Sequence, residues 1–195
     1  MNMMLNKILT LVVFTVSVAG APRLWAQDSD PAAALAAESA AYCTSTINKD
    51  RPTPPSIIVD KVNEACALLE KEGPAAFPKF SGKGSRFIFE GTYICVQGIN
   101  DGQMLMHPIQ YKLAGTKMTG MKDAHGKRIF VTFQTVAKEK GEGWAEYYWP
   151  KPGTGEIAHK ISFIKKCTMS NGVDVLLVSG LYNFSDADVA KLELH

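Results

Sequence analysis

The chain has 195 residues, 46% of them hydrophobic and 21% charged, with a formal net charge of +2. These proportions exclude a disordered, collagen-like or coiled-coil chain and suit one domain with a sizeable core, with room for a helical appendage. Four cysteines are too few for a disulfide-dense mini-scaffold, and so small a charge gives no reason to expect a nucleic-acid partner.

Residues 1–26 read as a secretory signal peptide. Lys7 precedes an uncharged apolar run over residues 8–20, and a short segment then ends in Leu24-Trp25-Ala26. The run is shorter than the roughly 20 residues that span a bilayer, which favours a cleaved signal over an anchor. Cleavage is expected after Ala26, because Pro22 would follow the competing cut at Ala21. These residues carry Lys7 and Arg23 and no acid, so removing them leaves 19 basic and 19 acidic residues. A neutral exported protein has no long-range field for gathering phosphates or anionic lipid.

The remaining chain predicts helices followed by a sheet. Alanine-rich residues 31–48 favour helix, and three prolines within residues 50–55 break it. Ser56 is placed to cap a second helix running to Glu72, with Ile58, Val62, Ala65, Cys66 and Leu69 on one stripe and Gly73 as its stop. A helical turn over residues 74–80 follows. Residues 92–97 are rich in β-formers and lead through the turn signal Asn100-Asp101-Gly102 into a strand at 104–107. The polar connection 108–126 is long enough to suggest a binding loop. Residues 128–138 predict a helix despite their β-branched content. Strands are expected at 144–149, 157–166 and 173–182, with a turn at 150–155 and another at Asn171-Gly172. Helices followed by five strands with short turns argue for an α+β domain on an antiparallel sheet.

Catalytic and metal signatures are mostly absent. There is no phosphate loop, G-x-S-x-G elbow, H-E-x-x-H or C-x-x-C, and His107, His125, His159 and His195 have no ligand-like spacing. Neither an enzyme nor a cofactor is expected. One constellation stands out: Trp144, Tyr147, Tyr148 and Trp149 crowd one strand and Lys160 opens the next. Alternation points Tyr147 and Trp149 one way, and sets Lys160 on the same face as Ser162. Read from these residues alone, two accounts stay open. The aromatics fill a core while Lys160 snorkels to water, or the lysine meets the carboxylate of a small ligand.

The order of motifs resembles the single Cache domain, type 2, a PAS-like extracytoplasmic sensing module. The matching pieces are Gly91-Thr92-Tyr93-Ile94-Cys95-Val96, Met106-His107-Pro108, Gly115, and Lys122-Asp123-Ala124-His125-Gly126-Lys127. They continue with residues 141–152 around Trp144-Ala145-Glu146-Tyr147-Tyr148-Trp149, then Lys160-Ile161-Ser162-Phe163 and Ser179-Gly180-Leu181-Tyr182. The resemblance implies a PAS-like Cache fold, with N-terminal helices, a five-stranded antiparallel sheet and a pocket on one face for a short organic acid or related metabolite. It implies Lys160 as carboxylate partner, Tyr93, Tyr147 and Tyr182 as hydrogen-bonding groups, and His107 and Trp144 on the pocket walls. His107-Pro108 can equally be structural, with the proline fixing the exit from its strand. Cys95 stands where the family more often has a large apolar residue. The expected organisation is a signal peptide at 1–26, a helix and proline-rich turn at 27–55, one Cache domain at 56–185 and a tail at 186–195. With no transmitter following, the expectation is a stand-alone periplasmic or secreted binding protein, read out by a membrane-bound sensor or transporter.

Export places the cysteines in an oxidising compartment. In a PAS-like strand order a third strand separates Cys95 from Cys167, beyond the roughly 7 Å reach of a disulfide. Cys43 and Cys66 lie on consecutive helices folded back around the prolines, and are the expected pair.

Overall fold

The structure is a computed structural model that describes residues 30–195; the expected signal peptide and its cleavage site lie outside them. Helix α1 (Pro31–Ser45) begins where Asp30 Oδ1 accepts the Ala32 N–H at 3.0 Å and Pro31 supplies a pre-set φ. Helix α2 (Pro55–Glu72) buries the anticipated stripe of Ile58, Val62, Ala65, Cys66 and Leu69. Its N-cap is Pro54 rather than Ser56: Pro55 at the first helical position starts the helix without a side-chain cap. Gly73, at φ 59°, ends it and leads into a 3₁₀ segment, Gly73–Phe80.

The strands are β1 (Ile88–Phe89), β2 (Thr92–Gly98), β3 (Met104–Met106), β4 (Glu142–Pro150), β5 (Ile157–Thr168) and β6 (Asp174–Leu181). They form one antiparallel sheet in the order β1-β2-β6-β5-β4, with β3 also paired to β2. The sixth strand beyond the five expected is the two-residue β1, too short to register as a pattern. Helix α3 (Ile129–Glu139) forms in spite of its β-branched residues, because Ile129, Phe130, Phe133, Val136 and Ala137 fall on one buried face. A short α4 (Asp186–Val189) lies near the C-terminus.

The sheet is covered on both faces, so it has two cores. On one face α2 packs against Ile94, Val96, Ile161, Phe163, Val175 and Leu177. On the other, α3 packs against Cys95, Ala145, Tyr147, Trp149, Leu176 and Val178. Helix α1 instead lies at the β1–β2 edge, where Cys43 packs against Ile88 and Tyr93.

That placement corrects the expected disulfide. Cys66 is bonded to Cys167 with Cα atoms 5.8 Å apart, whereas Cys43 and Cys95 are free and buried. The proline-rich segment does not fold α1 back along α2 as a hairpin. It carries α1 to the sheet edge, so Cys66 faces β5 across the α2-side core while Cys43 sits beside Tyr93 on the edge strands. Among the described residues no helix is long and apolar enough to cross a membrane.

Candidate functional site

The α3 face of the sheet carries a buried charge among its apolar side chains. Lys160 lies on β5 directly opposite Tyr147 of β4, and is only 3% exposed. Both β4 and β5 alternate cleanly here, so Tyr147, Trp149, Lys160 and Ser162 share the α3 face. The aliphatic stem therefore does not carry the ammonium to water. Burial lowers the Lys160 pKa from 10.5 to about 8. Among the described residues no carboxylate lies within ion-pairing distance of its Nζ. What surrounds it instead is aromatic: Nζ sits 4.5 Å from the Tyr93 ring centroid and 4.7 Å from that of Tyr182. Two ring faces stabilise a cation, but they leave its N–H donors without a strong acceptor.

Lys160 faces a small internal cavity of about 20 Å³, bounded by Tyr93, Cys95 and Val178 from the sheet centre and His107 from the end of β3. Met104 of β3, Phe130 and Phe133 of α3 and Tyr147 and Trp149 of β4 complete it. That volume holds about one water molecule. Tyr147 Oη and Ser162 Oγ are 2.9 Å apart in a buried hydrogen bond. Ser162 can sit there because Gly180 is its partner on β6: a side chain at 180 would collide with Ser162 Oγ and come within 2.6 Å of the Ile161 carbonyl.

His107 shapes the roof of this cavity. Its Nδ1 accepts the N–H groups of Gln110 at 2.9 Å and Ile109 at 3.3 Å, which turns the chain sharply after Pro108. An accepting Nδ1 places the ring proton of the neutral form on Nε2. Burial, reinforced by the charge of Lys160, drops the His107 pKa from 6.5 to about 3, so the ring is neutral throughout the physiological range. The half-buried Tyr182 donates its hydroxyl to the Pro150 carbonyl at 2.9 Å and anchors the turn between β4 and β5. Beside them, burial raises the thiols of Cys95 to about 11 and Cys43 to about 12, and keeps the phenols of Tyr93, Tyr147 and Tyr182 un-ionised.

The structure therefore brings Tyr93, His107, Tyr147, Lys160 and Tyr182 around one point. Trp144 does not join them. It is three residues from Tyr147 on the same strand, so it points to the α2 face and packs against Phe163 with ring centroids 5.2 Å apart. Sequence reasoning passed over Phe130 and Phe133; the apolar stripe of α3 is the signal that could have included them. Chemically the arrangement is a cation, two or three hydroxyls and an imidazole N–H in a water-poor enclosure, which suits an anion with a small apolar body.

Comparisons with known proteins agree with this architecture. The family described as Cache domain matches residues 81–189. The methyl-accepting chemotaxis protein McpP of Pseudomonas putida is 35% identical over 69 residues, and the sensor histidine kinase MctS of Rhizobium johnstonii is 36% identical over 64. Those stretches are 34% and 33% of this chain but only 13% and 14% of the two relatives. Among solved structures, a periplasmic sensor domain of a chemotaxis protein superposes with TM-score 0.53 at 27% identity, covering 65% of this chain and 93% of that one. A Cache chemosensory domain described for carboxylic acid recognition gives TM-score 0.52 at 27% identity, over 65% of this chain and 88% of that one. A methyl-accepting chemotaxis protein from Vibrio parahaemolyticus shares the fold at 17% identity, with TM-score 0.52 over 66% and 85% of the two chains.

Proposed function

The chain belongs to the Cache domain family, and from that membership we propose that it is an extracytoplasmic binding domain for a short organic acid, held by its carboxylate on Lys160. The observation that carries this reading is the buried ammonium of Lys160, which faces a cavity and has no carboxylate to answer it among the described residues. A ligand carboxylate supplies the missing charge and accepts from Lys160, from His107 Nε2–H and from the Tyr93 hydroxyl. Its small apolar remainder lies against Phe130, Phe133 and Trp149. The carboxylic acid recognition described for one solved neighbour supports the same ligand class. Binding rather than catalysis is the role that fits, with a membrane-bound sensor or transporter as the partner that reads the occupied state.

The cavity holds no more than a water, so acid binding requires the roof to yield. His107 lines the cavity, and the turn that follows it is held by the bonds of the Ile109 and Gln110 N–H groups to its Nδ1. A turn tied by so few hydrogen bonds is where opening is least costly.

A thermal-shift titration of the full chain against acetate, propionate, pyruvate and amino acids tests the proposal. A short carboxylate at about 100 times its Kd is expected to stabilise the fold by about 2.7 kcal/mol. The response should vanish in Lys160→Met and fade as pH rises past about 8, where the native ammonium loses its proton. An undiminished response in Lys160→Met, or silence across the whole panel, refutes the proposal.

A further inference from the structure

The open edge of β4 carries a second concavity, separate from the Lys160 cavity. Tyr148, Trp149 and Pro150 of β4, Ile157 of β5 and the loop over residues 109–124 enclose a surface cleft of about 570 Å³. Its floor is apolar: Leu113 and Met121 line it from the loop, and Ile157 and Tyr148 are 51% and 36% exposed on the strands. Exposed apolar side chains gathered in one concavity, rather than scattered singly, mark a binding surface. The volume falls within the range of about 300–1,000 Å³ typical of small-molecule sites.

The rim supplies the charge. Lys112 and Lys122 both line the cleft and are exposed, and among the described residues neither has a carboxylate within ion-pairing distance. The two nearby acids are already engaged. Asp123 accepts the N–H groups of His125 and Lys127 on Oδ1 and that of Tyr148 on Oδ2. Asp30 accepts the Tyr111 hydroxyl on Oδ2 and the Ala32 N–H on Oδ1. Two unanswered ammonium groups beside an apolar floor are complementary to a molecule with an anionic head and an apolar body.

We infer that this cleft is a second ligand site, which takes a small amphipathic carboxylate. The acid group lies between Lys112 and Lys122, and an aromatic or short-alkyl body packs on Leu113, Met121 and Ile157. Among the described residues Trp149 is the one common to the lining of this cleft and of the inner cavity. The two sites differ in what they admit: the inner one is limited by volume, the outer one requires apolar area.

Calorimetric titration of the full chain with benzoate, with benzyl alcohol as its uncharged counterpart and acetate as an acid lacking the apolar body, tests the inference. Benzoate is expected to bind about tenfold more tightly than benzyl alcohol, and the Lys112→Glu/Lys122→Glu double variant to weaken benzoate by about tenfold or more. Ile157→Asp should weaken it comparably, while Lys160→Met changes it by less than about twofold. All of these positions except 160 are exposed, so unchanged melting temperatures in the outer variants will show that the fold is intact. No binding of benzoate, equal binding of benzyl alcohol, or wild-type affinity in the double lysine variant each overturns the outer site. Loss of benzoate binding in Lys160→Met also overturns it, by moving the ligand to the inner cavity. The acetate response in the same variants reports on the inner site alone, so failure of one assignment is distinguishable from failure of the other.

Discussion

Lys160 and His107 are both held in the less charged direction by burial, and each leaves a signature in stability against pH. The native Lys160 releases its proton near pH 8 rather than 10.5. Above about pH 8 the unfolded chain thus binds more protons than the native one, and stability rises with pH. The buried Cys43 and Cys95 thiols, raised above their ordinary 9.0, pull in the opposite direction and begin to do so about one pH unit below that value, so the lysine's contribution is read as a difference from Lys160→Met. The urea midpoint of the unliganded wild type, taken relative to that of Lys160→Met, should climb between about pH 8 and 10; a difference that stays constant with pH would contradict the buried ammonium. His107 acts on the acid side. Its native pKa of about 3 lies below the unfolded 6.5, so the unfolded chain takes up a proton that the native ring refuses. Stability should fall as pH drops from 6.5 towards 3, by up to about 1.4 kcal/mol per pH unit from this residue. His107→Gln, measured across the same range, should remove that slope. A lysine at the head of an apolar strand was legible in the sequence as an anomaly. The role of His107 was not, because it depends on two backbone N–H groups brought to one nitrogen by a turn that no pattern announces. Trp144 was grouped with Tyr147 through crowding on one strand, although their odd separation already put them on opposite faces.

Elements with a strong period were read almost to the residue, and those set by tertiary contact were not. The stripe of α2 and the run of β4 each follow from spacing that only one local structure satisfies. The path of α1 does not, since prolines end a helix without saying where the chain goes next. The misplaced disulfide followed from that gap. The observed bridge ties the middle of α2 to the end of β5 across 101 positions of sequence. Cross-linking so long a loop restricts the unfolded ensemble strongly, so its loss through Cys66→Ser/Cys167→Ser is expected to cost about 2–5 kcal/mol. Melting temperatures with and without a phosphine reductant measure the same quantity in the wild type, and agreement within error between the reduced and oxidised protein would rule it out. Cys43→Ser offers the contrast: its thiol donates only to the Thr92 carbonyl, at 3.5 Å, and no cross-link is lost.

For the molecule as a whole, near balance of charge leaves little long-range field, and the acid site proposed at Lys160 relies on enclosure instead. An acid bound at Lys160 lies inside low-dielectric walls, where mobile ions screen little. Acetate affinity is therefore expected to vary by less than about twofold between about 0.05 and 0.5 M salt, as isothermal titration will show; a steep decline would place the acid at an exposed cation instead. The fold class and the balance of charge were both visible in the sequence, whereas the partition of the sheet into an α2 core and an α3 core was not, because it depends on which helix crosses which strands. The bridge between Cys66 and Cys167 also has a mechanical meaning. Tyr93, His107, Tyr147 and Lys160 all lie on the stretch of chain it encloses, and Tyr182 lies outside. Tension applied between the two ends of the protein passes from α2 into β5 through the sulfur atoms and bypasses that enclosed stretch. Force-extension traces should accordingly show the pocket-building segment contributing no contour length until the bridge is reduced, so that a tug on either end is felt at the rim of the site and not by the strands that shape it.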